Sequence, residues 1–245
     1  MINPPLRTSG NVLFLILIAV ALFAALAYAV TTSNRSSGQG ISYEKANANA
    51  AAIIQYSTAL RAAIMKLRAS GNCTENSLDF GNVNFKAQDD SPLNIANPSA
   101  PSNQSCHIYS AVGGNMVAVI APVASLVLPY AGSWYAGHTA IRVGQIKGIG
   151  TDGVAGLASA NDLFAQVNGI NRETCRAINN ILGIPNPGGE PPIWTVTGSS
   201  TRYLSGSFNS TYIGEFGDAT PSGQPQFCIQ GAAGSSTYFS VLIER

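Results

Sequence analysis

The longest hydrophobic pattern in the chain is an uninterrupted apolar run from Val12 to Val30. It reads VLFLILIAVALFAALAYAV and contains no charged side chain. A helix rises about 1.5 Å per residue, so the run is about 28 Å long, close to the ~30 Å hydrocarbon thickness of a bilayer. Apolar side chains lie all round such a helix and leave no polar face for water. The pattern therefore predicts a membrane-spanning helix.

Two different processing events are compatible with this run. In one, the run stays attached as an anchor, and Gly10 ends a short leader that is removed on the cytoplasmic side. In the other, the run is a secretory signal peptide, and Ala27-Tyr28-Ala29 supplies a small-x-small site cut after Ala29. The apolar run is longer than the usual 7–15-residue core of a signal peptide, which favours the anchor. Arg7 places the amino terminus in the cytoplasm, although Arg35 on the far side weakens that bias.

The polar stretch behind the run separates it from the rest of the chain. Gly38 and Gly40 lie within TTSNRSSGQG, and each glycine costs a helix interior about 1 kcal/mol. We therefore expect an interruption of the helix there. The predicted division is a leader (1–10), an apolar helix (11–33), a hinge (34–41) and an extracytoplasmic α+β domain (42–245).

The domain is predicted to begin with an amphipathic helix from Ser42 to Ala69. This stretch is rich in alanine, and Ser42 can cap its amino terminus. Apolar residues recur at spacings of three and four, which places them on one helix face. That face comprises Ile53, Tyr56, Leu60, Ile64 and Leu67. The simplest expectation is that it packs on the domain's own sheet, and part of it is also suited to contact neighbouring subunits.

The middle of the chain is predicted to contain several short strands. A buried strand is expected at Met116–Ile120, between Gly113-Gly114 and Pro122. The other predicted elements are an alternating strand over Leu78–Phe85, a short one at Ser125–Leu128, strands at Thr139–Val143 and Gln145–Ile149, and a short helical turn at Asn161–Val167.

A second helix is predicted from Asn171 to Leu182, followed by a β-rich end. Asn171 can cap the helix, and Gly183 can end it. Cys175, Ile178 and Leu182 would share one face. The strands expected after it are Trp194–Thr197, Tyr212-Ile213, Phe227–Ile229 and Thr237–Glu244.

Composition and charge exclude some functions. Charged residues make up 10% of the 245 residues, against a typical ~25%, and the net charge is +1. Residues 1–70 carry six basic side chains and one acidic side chain, but the basic ones are spaced out. Nucleic-acid binding would need a dense basic patch with aromatic residues, which the sequence lacks. A low-charge chain rich in glycine and serine fits an exported, loop-rich domain.

The four cysteines indicate disulfides. An even number behind an export signal predicts two bridges among Cys73, Cys106, Cys175 and Cys228. Three pairings are possible. Sequence order favours Cys73–Cys106 and Cys175–Cys228. The chain contains no CxxC motif, and its spacings do not suggest a zinc site.

The sequence offers little catalytic chemistry. Residues 148–153 match GxGxxG, but 154–159 is a poor start for the helix that a dinucleotide site needs. The two histidines, His107 and His138, are expected to be surface or partly buried groups, and no GxSxG motif occurs.

Asp89-Asp90 is expected to be a solvated turn, and the aromatic residues around Trp134 are expected to pack in the core. We expect a protein that is not an enzyme and that uses no metal or cofactor.

The N-terminal plan resembles type IV pilins and the related pseudopilins. Those proteins have a short leader ending in glycine, an uncharged apolar helix, and an amphipathic helix leading into a domain with late cysteines. The matching features here are the leader to Gly10, the run Val12–Val30, the helix Ser42–Ala69, and Cys175 with Cys228. The resemblance covers about the first 70 residues in pattern and the remainder only in plan.

The resemblance implies a processing site, an assembly helix and a set of partners. It implies cleavage after Gly10, a mature amino terminus at Asn11, and anchoring in the inner membrane with the domain in the periplasm or outside the cell. The partners would be the membrane, other pilin-like subunits and their assembly machinery, with no nucleic acid. The helix residues that would pack in a filament are Leu13, Phe14, Leu15, Leu17 and Phe23. Leu15 stands at the fifth mature position, where major pilins carry glutamate, and this favours a minor subunit.

Overall fold

The structure, a computed structural model, describes most of the chain beyond the leader. It covers residues 10–70, 72–86, 92–94, 96–127, 136–146, 148–150, 161–193, 201–203, 208, 215–216, 221–231 and 235–245; within α1, side chains are described for 14, 16–25 and 42–70. Several predictions fall outside these residues: the leader up to residue 9, the Asp89-Asp90 turn, the aromatic residues 130, 134 and 135, and the strands at 194–197 and 212–213. The chain divides into two compact units, Met1–Lys45 and Ala46–Arg245.

The longest element is helix α1, Gly10–Ser70. The helix is assigned without a break through Gly38 and Gly40, so the predicted interruption between residues 34 and 41 is not observed. Glycine weakens a helix by about 1 kcal/mol but adopts helical dihedral angles freely, so two glycines do not by themselves end one.

The predicted apolar stripe of the second part of α1 is confirmed. Ile53, Leu60, Ile64 and Leu67 are buried, and Tyr56 is partly buried. Ala46 and Ala50 extend the same buried face. The helix face that the 3.6-residue period defines is therefore the face that packs on the domain.

The domain is α+β and is built on an antiparallel sheet. Its strands are β1 (Asn82–Lys86), β2 (Pro92–Asn94), β3 (Thr139–Ile146), β4 (Asp162–Ile170), β5 (Thr201–Arg202), β6 (Glu215–Phe216), β7 (Gln226–Gln230) and β8 (Ser236–Ile243). The main sheet has the order β5-β3-β4-β8-β7, all antiparallel, and β6 pairs with β3 in parallel. β1 and β2 form a separate antiparallel pair.

The central strands have both faces covered. Leu163, Ala165 and Leu242 pack in one cluster with Leu60 and Ile64 of α1. Phe164, Phe239 and Val241 point to the opposite face and pack with Phe227 and Ile184. This double burial explains why β4 carries apolar residues at the adjacent positions Leu163, Phe164 and Ala165 instead of alternating with polar ones.

Two sequence predictions in this region are wrong. The helical turn expected at Asn161–Val167 is the first part of β4. Short apolar runs fit a buried strand as well as a helix, and the pairing with β3 and β8 decided between them. The strand expected at Met116–Ile120 does not form, and this segment lies in irregular structure at the surface. The strand expected at 139–143 and the first part of that expected at 145–149 form one strand, β3, which ends at Ile146; residues 148–150 lie in a turn.

Helix α2, Arg172–Leu182, follows β4 directly and confirms the helix that the sequence predicts from Asn171 to Leu182. The Asn171 Oδ1 atom accepts a hydrogen bond of 2.9 Å from the Thr174 amide, which caps the helix. Gly183 ends the helix in the left-handed conformation, with φ 72°. Cys175 and Ile178 are fully buried against β7 and β8.

Buried asparagine side chains bond to outer backbone positions of the main sheet, on the edge strand β7 and on the part of β3 that precedes its pairing with β5. The Asn179 amide donates to the Cys228 carbonyl and accepts from the Cys228 amide, each at 2.9 Å, on the outer side of β7. On β3, the Asn94 side chain makes the same pair of bonds with Thr139 O and Ile141 N, again at 2.9 Å. Each amide reproduces the hydrogen bonds of a missing strand, so these positions are not open to pairing with another chain.

Candidate functional site

The apolar residues predicted to pack in a filament lie in the first part of α1. Those with described side chains are exposed. Phe14, Leu17 and Phe23 are 62%, 67% and 74% exposed. Gly10 is the first residue of α1 and Asn11 the second. The side chains of Leu13 and Leu15 lie outside the described set. Among the helices that the structure describes, none combines the length and the hydropathy needed to cross a membrane.

Both disulfides form with the pairing that sequence order favours. Cys73–Cys106 joins the residues just after α1 to an irregular region, over a separation of 33 residues. Cys175–Cys228 joins α2 to the edge strand β7, over a separation of 53 residues. The four cysteines are therefore structural and are not available as nucleophiles or metal ligands.

A groove lies between α1 and the segment 119–122 on the surface of the domain. Its cavity volume is about 80 Å³. The lining is mainly apolar and combines residues of α1, of this segment, and of β3, β4 and β8: Ala52, Ile53, Tyr56, Ser57, Val119, Ile120, Ala121, Pro122, Gly137, Thr139, Ala165, Val167 and Tyr238. A mainly apolar lining with a few polar groups is usual for a binding site, but this volume is well below the ~300–1,000 Å³ of sites for small molecules.

Hydroxyl groups line one part of the groove and are already paired with one another. The Ser57 hydroxyl donates to Ile54 O at 2.9 Å and lies 2.6 Å from the Tyr238 hydroxyl, which therefore donates to it. The hydroxyls of Tyr56 and Tyr109 lie 3.3 Å apart. Burial raises the pKa of Tyr238 to about 12 and also raises the pKa values of Tyr56 and Tyr109. These phenols stay neutral at physiological pH and are not poised for acid–base chemistry.

An exposed apolar strip borders the groove. Val117, Val119, Ile120 and Val123 are 73%, 49%, 44% and 68% exposed. Between them, Ala118 packs toward Phe85 and Leu93, and Ala121 packs toward the cluster around Ile53 and Tyr238. We call residues 117–123 the apolar strip. Its inward-facing alanines hold it on the domain, while its larger side chains face solvent.

Sequence reasoning missed this strip because it read the same residues as a buried strand. The run MVAVI has the composition of a strand, but hydrophobicity alone does not show that other strands pair with it. Pro122 lacks an amide donor, and Gly113-Gly114 bounds the run on the other side, so a ladder was already disfavoured. The absence of any Asp, Glu, Lys or Arg from 91 to 141 is the signal that could have identified an unusual surface.

The histidines lie in separate places. The His107 Nδ1 atom lies 3.5 Å from the Asp79 carboxylate, which is buried. His138 is buried and lies beside the ring of Phe85, with 5.9 Å between ring centroids. In the part of the chain that the structure describes, no three His, Cys, Asp or Glu side chains form a group that could hold a metal ion.

The described glycines of the GxGxxG match have a packing role. Gly148 and Gly150 have φ values of 76° and 60°, in the left-handed region that favours glycine. A Cβ atom at Gly148 would lie 2.5 Å from the Gly223 amide nitrogen, and one at Gly150 would collide with the Arg245 carbonyl. Close approach of backbone segments therefore accounts for both glycines. Residues 151–153 of the match lie outside the described residues.

Comparison with protein-family models, curated proteins and solved structures finds no match for this chain.

Proposed function

We propose that this chain is a membrane-anchored, pilin-like structural subunit that assembles through its N-terminal helix into a pilus or a secretion pseudopilus. In this proposal it is a minor subunit, because Leu15 replaces the glutamate of major pilins at the fifth mature position. The protein carries out no catalysis. The observation that carries the proposal is the charge-free apolar run Val12–Val30 on a helix that leads into a disulfide-stapled α+β domain.

The exposed apolar side chains of α1 support an assembly role. Burying a side chain such as Phe14, Leu17 or Phe23 is worth about 1.5–3 kcal/mol relative to leaving it in water. In lipid this surface is solvated by acyl chains, and the helix satisfies its own backbone groups. When the helix leaves the membrane, the same surface needs other protein to cover it. Copies of the same helix can supply that cover.

The occupied outer backbone positions of β7 and β3 support the same proposal. The backbone of β7 at Cys228 and the backbone of β3 at Thr139 and Ile141 are occupied by Asn179 and Asn94. Strand-to-strand pairing is therefore blocked at these positions. Association of copies would then rest on apolar surfaces of helix and loop.

Mass spectrometry of the mature amino terminus, with two matched variants, tests the proposal. The wild-type chain is expected to begin at Asn11. Gly10→Val is expected to abolish that cleavage, and Ala29→Val to leave it unchanged. Both variants replace a small residue with the same branched apolar residue, so each blocks one site and keeps the run apolar. A wild-type chain that begins at Val30 would overturn the proposal, and a retained Met1 would indicate a plain membrane-anchored protein.

A secreted soluble binding domain is the alternative function. The Ala27-Tyr28-Ala29 site favours it, since small residues at these spacings suit signal peptidase. In this case Ala29→Val would hold the protein in the membrane, and Gly10→Val would have no effect. The same pair of variants therefore separates the two functions.

A further inference from the structure

The apolar strip and the N-terminal helix share an unusual property, which is the absence of charge. The two longest stretches of the chain without Asp, Glu, Lys or Arg are 91–141 and 8–34. The first contains the strip, and the second contains the apolar run of α1. Both expose large apolar side chains, among them Val117 and Val123 in the strip and Phe14 and Phe23 in the helix.

We propose that the groove and the apolar strip form a docking site for the N-terminal apolar helix, residues 14–25, of a second copy of this chain. The inference rests on the proposed function, because it names the partner surface of the assembly helix. The helix would lie along the strip, and one of its large side chains would enter the groove beside Tyr56 and Tyr238.

The absence of charge on both surfaces is the physical reason for this choice of partner. A helix without charged residues can offer no counter-ion, so any charge that it covers would be desolvated without compensation. Residues 91–141 place no carboxylate, ammonium or guanidinium group in its way. The polar groups of the groove are satisfied before docking, since Tyr238 bonds to Ser57 and Tyr56 lies near Tyr109.

The size of the strip indicates a weak single contact. Four partly exposed aliphatic side chains offer well under the ~800 Å² per partner that a standard interface buries. One helix on one strip would therefore dissociate readily. Repetition of the contact along an assembly outside the membrane would be needed to hold it.

The contact would also be open-ended. The helix that docks, residues 14–25, is a different surface from the one that receives it, residues 117–123 with the groove. Such a heterologous contact leaves each copy with a free helix or a free groove, so it continues into a filament unless the rotation between copies closes a ring.

Photo-crosslinking of the full-length chain, purified in detergent and assembled by removal of the detergent, tests the proposal. Benzoylphenylalanine is placed at Val119 and, as a control, at Ile181 on α2; both side chains are 49% exposed. Copies labelled with ¹⁴N and ¹⁵N are mixed, irradiated and digested with trypsin. Because residues 8–34 contain no Lys or Arg, the helix is released as a single peptide that ends at Arg35.

The expected result is a crosslink from position 119 to the peptide ending at Arg35, in hybrids of the two isotopes, with no such product from position 181. Four results would overturn the docking site. They are crosslinks within one isotope only, crosslinks to other peptides or to lipid, equal yields at both positions, and no crosslink at all. The first residue of the same peptide reports processing separately. A start at Asn11 without the crosslink contradicts the docking site alone, whereas any other start contradicts the proposed function.

A charge on the strip supplies a second measurement. Val119→Lys is expected to lower the association constant of the full-length protein in detergent at least tenfold, and Ile181→Lys to leave it unchanged. Val119 lies at the surface, so both variants are expected to fold, and circular dichroism checks this. Equal association of the two folded variants would overturn the proposal.

Discussion

The two compact units of this chain both contain apolar residues of α1, but the surroundings of these residues differ. In Ala46–Arg245, Leu60, Ile64 and Leu67 are buried among strands of the sheet. In Met1–Lys45, Phe14, Leu17 and Phe23 are exposed to solvent within the single chain. The buried side chains of the domain stabilise its fold. Under the proposed function, the exposed side chains of the first unit contact lipid or other copies.

This comparison predicts that the folding free energy of the domain comes from Ala46–Arg245 and owes nothing to the exposed apolar residues of the first unit. Each of the following changes tests that division by chemical unfolding of the full-length protein in detergent.

Loss of the Cys175–Cys228 disulfide is expected to have the largest effect. Replacing both cysteines by alanine frees a loop of 53 residues and should lower the free energy of unfolding by about 4 kcal/mol. The Cys73/Cys106→Ala pair frees 33 residues and should cost nearly as much, because the entropy depends on the logarithm of loop length. A loss confined to one pair would show that strain or packing, instead of chain entropy, is the source.

Ile64→Ala is expected to cost about 2–5 kcal/mol. The side chain is fully buried in the cluster with Leu163 and Leu242, so the substitution removes apolar contacts and leaves a cavity. Met65→Ala, at the next position on the exposed face of α1, is the matched control and should change the free energy of unfolding little. Equal effects of the two substitutions would contradict the packing of this face.

Asn179→Ala is expected to cost about 2–3 kcal/mol. It leaves the buried amide and carbonyl of Cys228 without partners, and each unsatisfied group costs at least about 1 kcal/mol. Asn180→Ala alters the neighbouring exposed asparagine and should cost well under half as much. If β7 also becomes open to pairing, the Asn179 variant should aggregate faster at equal fraction folded, which light scattering would detect.

Tyr238→Phe is expected to cost about 1 kcal/mol at neutral pH, because it removes the hydrogen bond to Ser57. Burial raises the pKa of Tyr238 to about 12, from an ordinary value of 10. The folded state therefore holds this proton more tightly, and the resulting stability is present below pH 10 and is lost as the pH rises toward 12. The variant should show a shallower alkaline loss of stability than the wild type, and equal slopes would contradict this role of Tyr238.

Phe23→Ser is expected to have the smallest effect on stability, within about 0.5 kcal/mol, because the side chain is exposed. Its effect should appear instead in assembly, as fewer or shorter filaments by electron microscopy. Destabilisation comparable to that of Ile64→Ala would show that the two units share a core and would remove the distinction between them.

Much of the secondary structure could be predicted from local patterns. Helix α2 has a cap at Asn171 and a stop at Gly183, and its bounds follow from those residues. The stripe from Ile53 to Leu67 follows from the helical period. The identity of β4 could not be predicted in this way, because Leu163 and Phe164 on opposite faces are both buried, and a short run without alternation fits either a strand or a helix.

The sequence alone determined the features that depend on composition and short-range order. These are the charge-free apolar run ending at Val30, the amphipathic face of α1, the cap and stop of α2, and the order of cysteines that the disulfides follow. Each depends on residues that are close in the chain, or on the elementary cost of placing a charge in an apolar environment.

Only the tertiary structure decided which apolar residues are covered. Val117–Ile120 is wholly apolar and Leu163–Val167 contains Gln166, but the second run is paired on both sides by β3 and β8, whereas the first lies at the surface beside Pro122. Burial of a run depends on which distant segments pack against it. The hydrophobic effect is not directional, so an apolar run does not specify its partner. For the same reason, the groove between α1 and the apolar strip could not be predicted from the sequence.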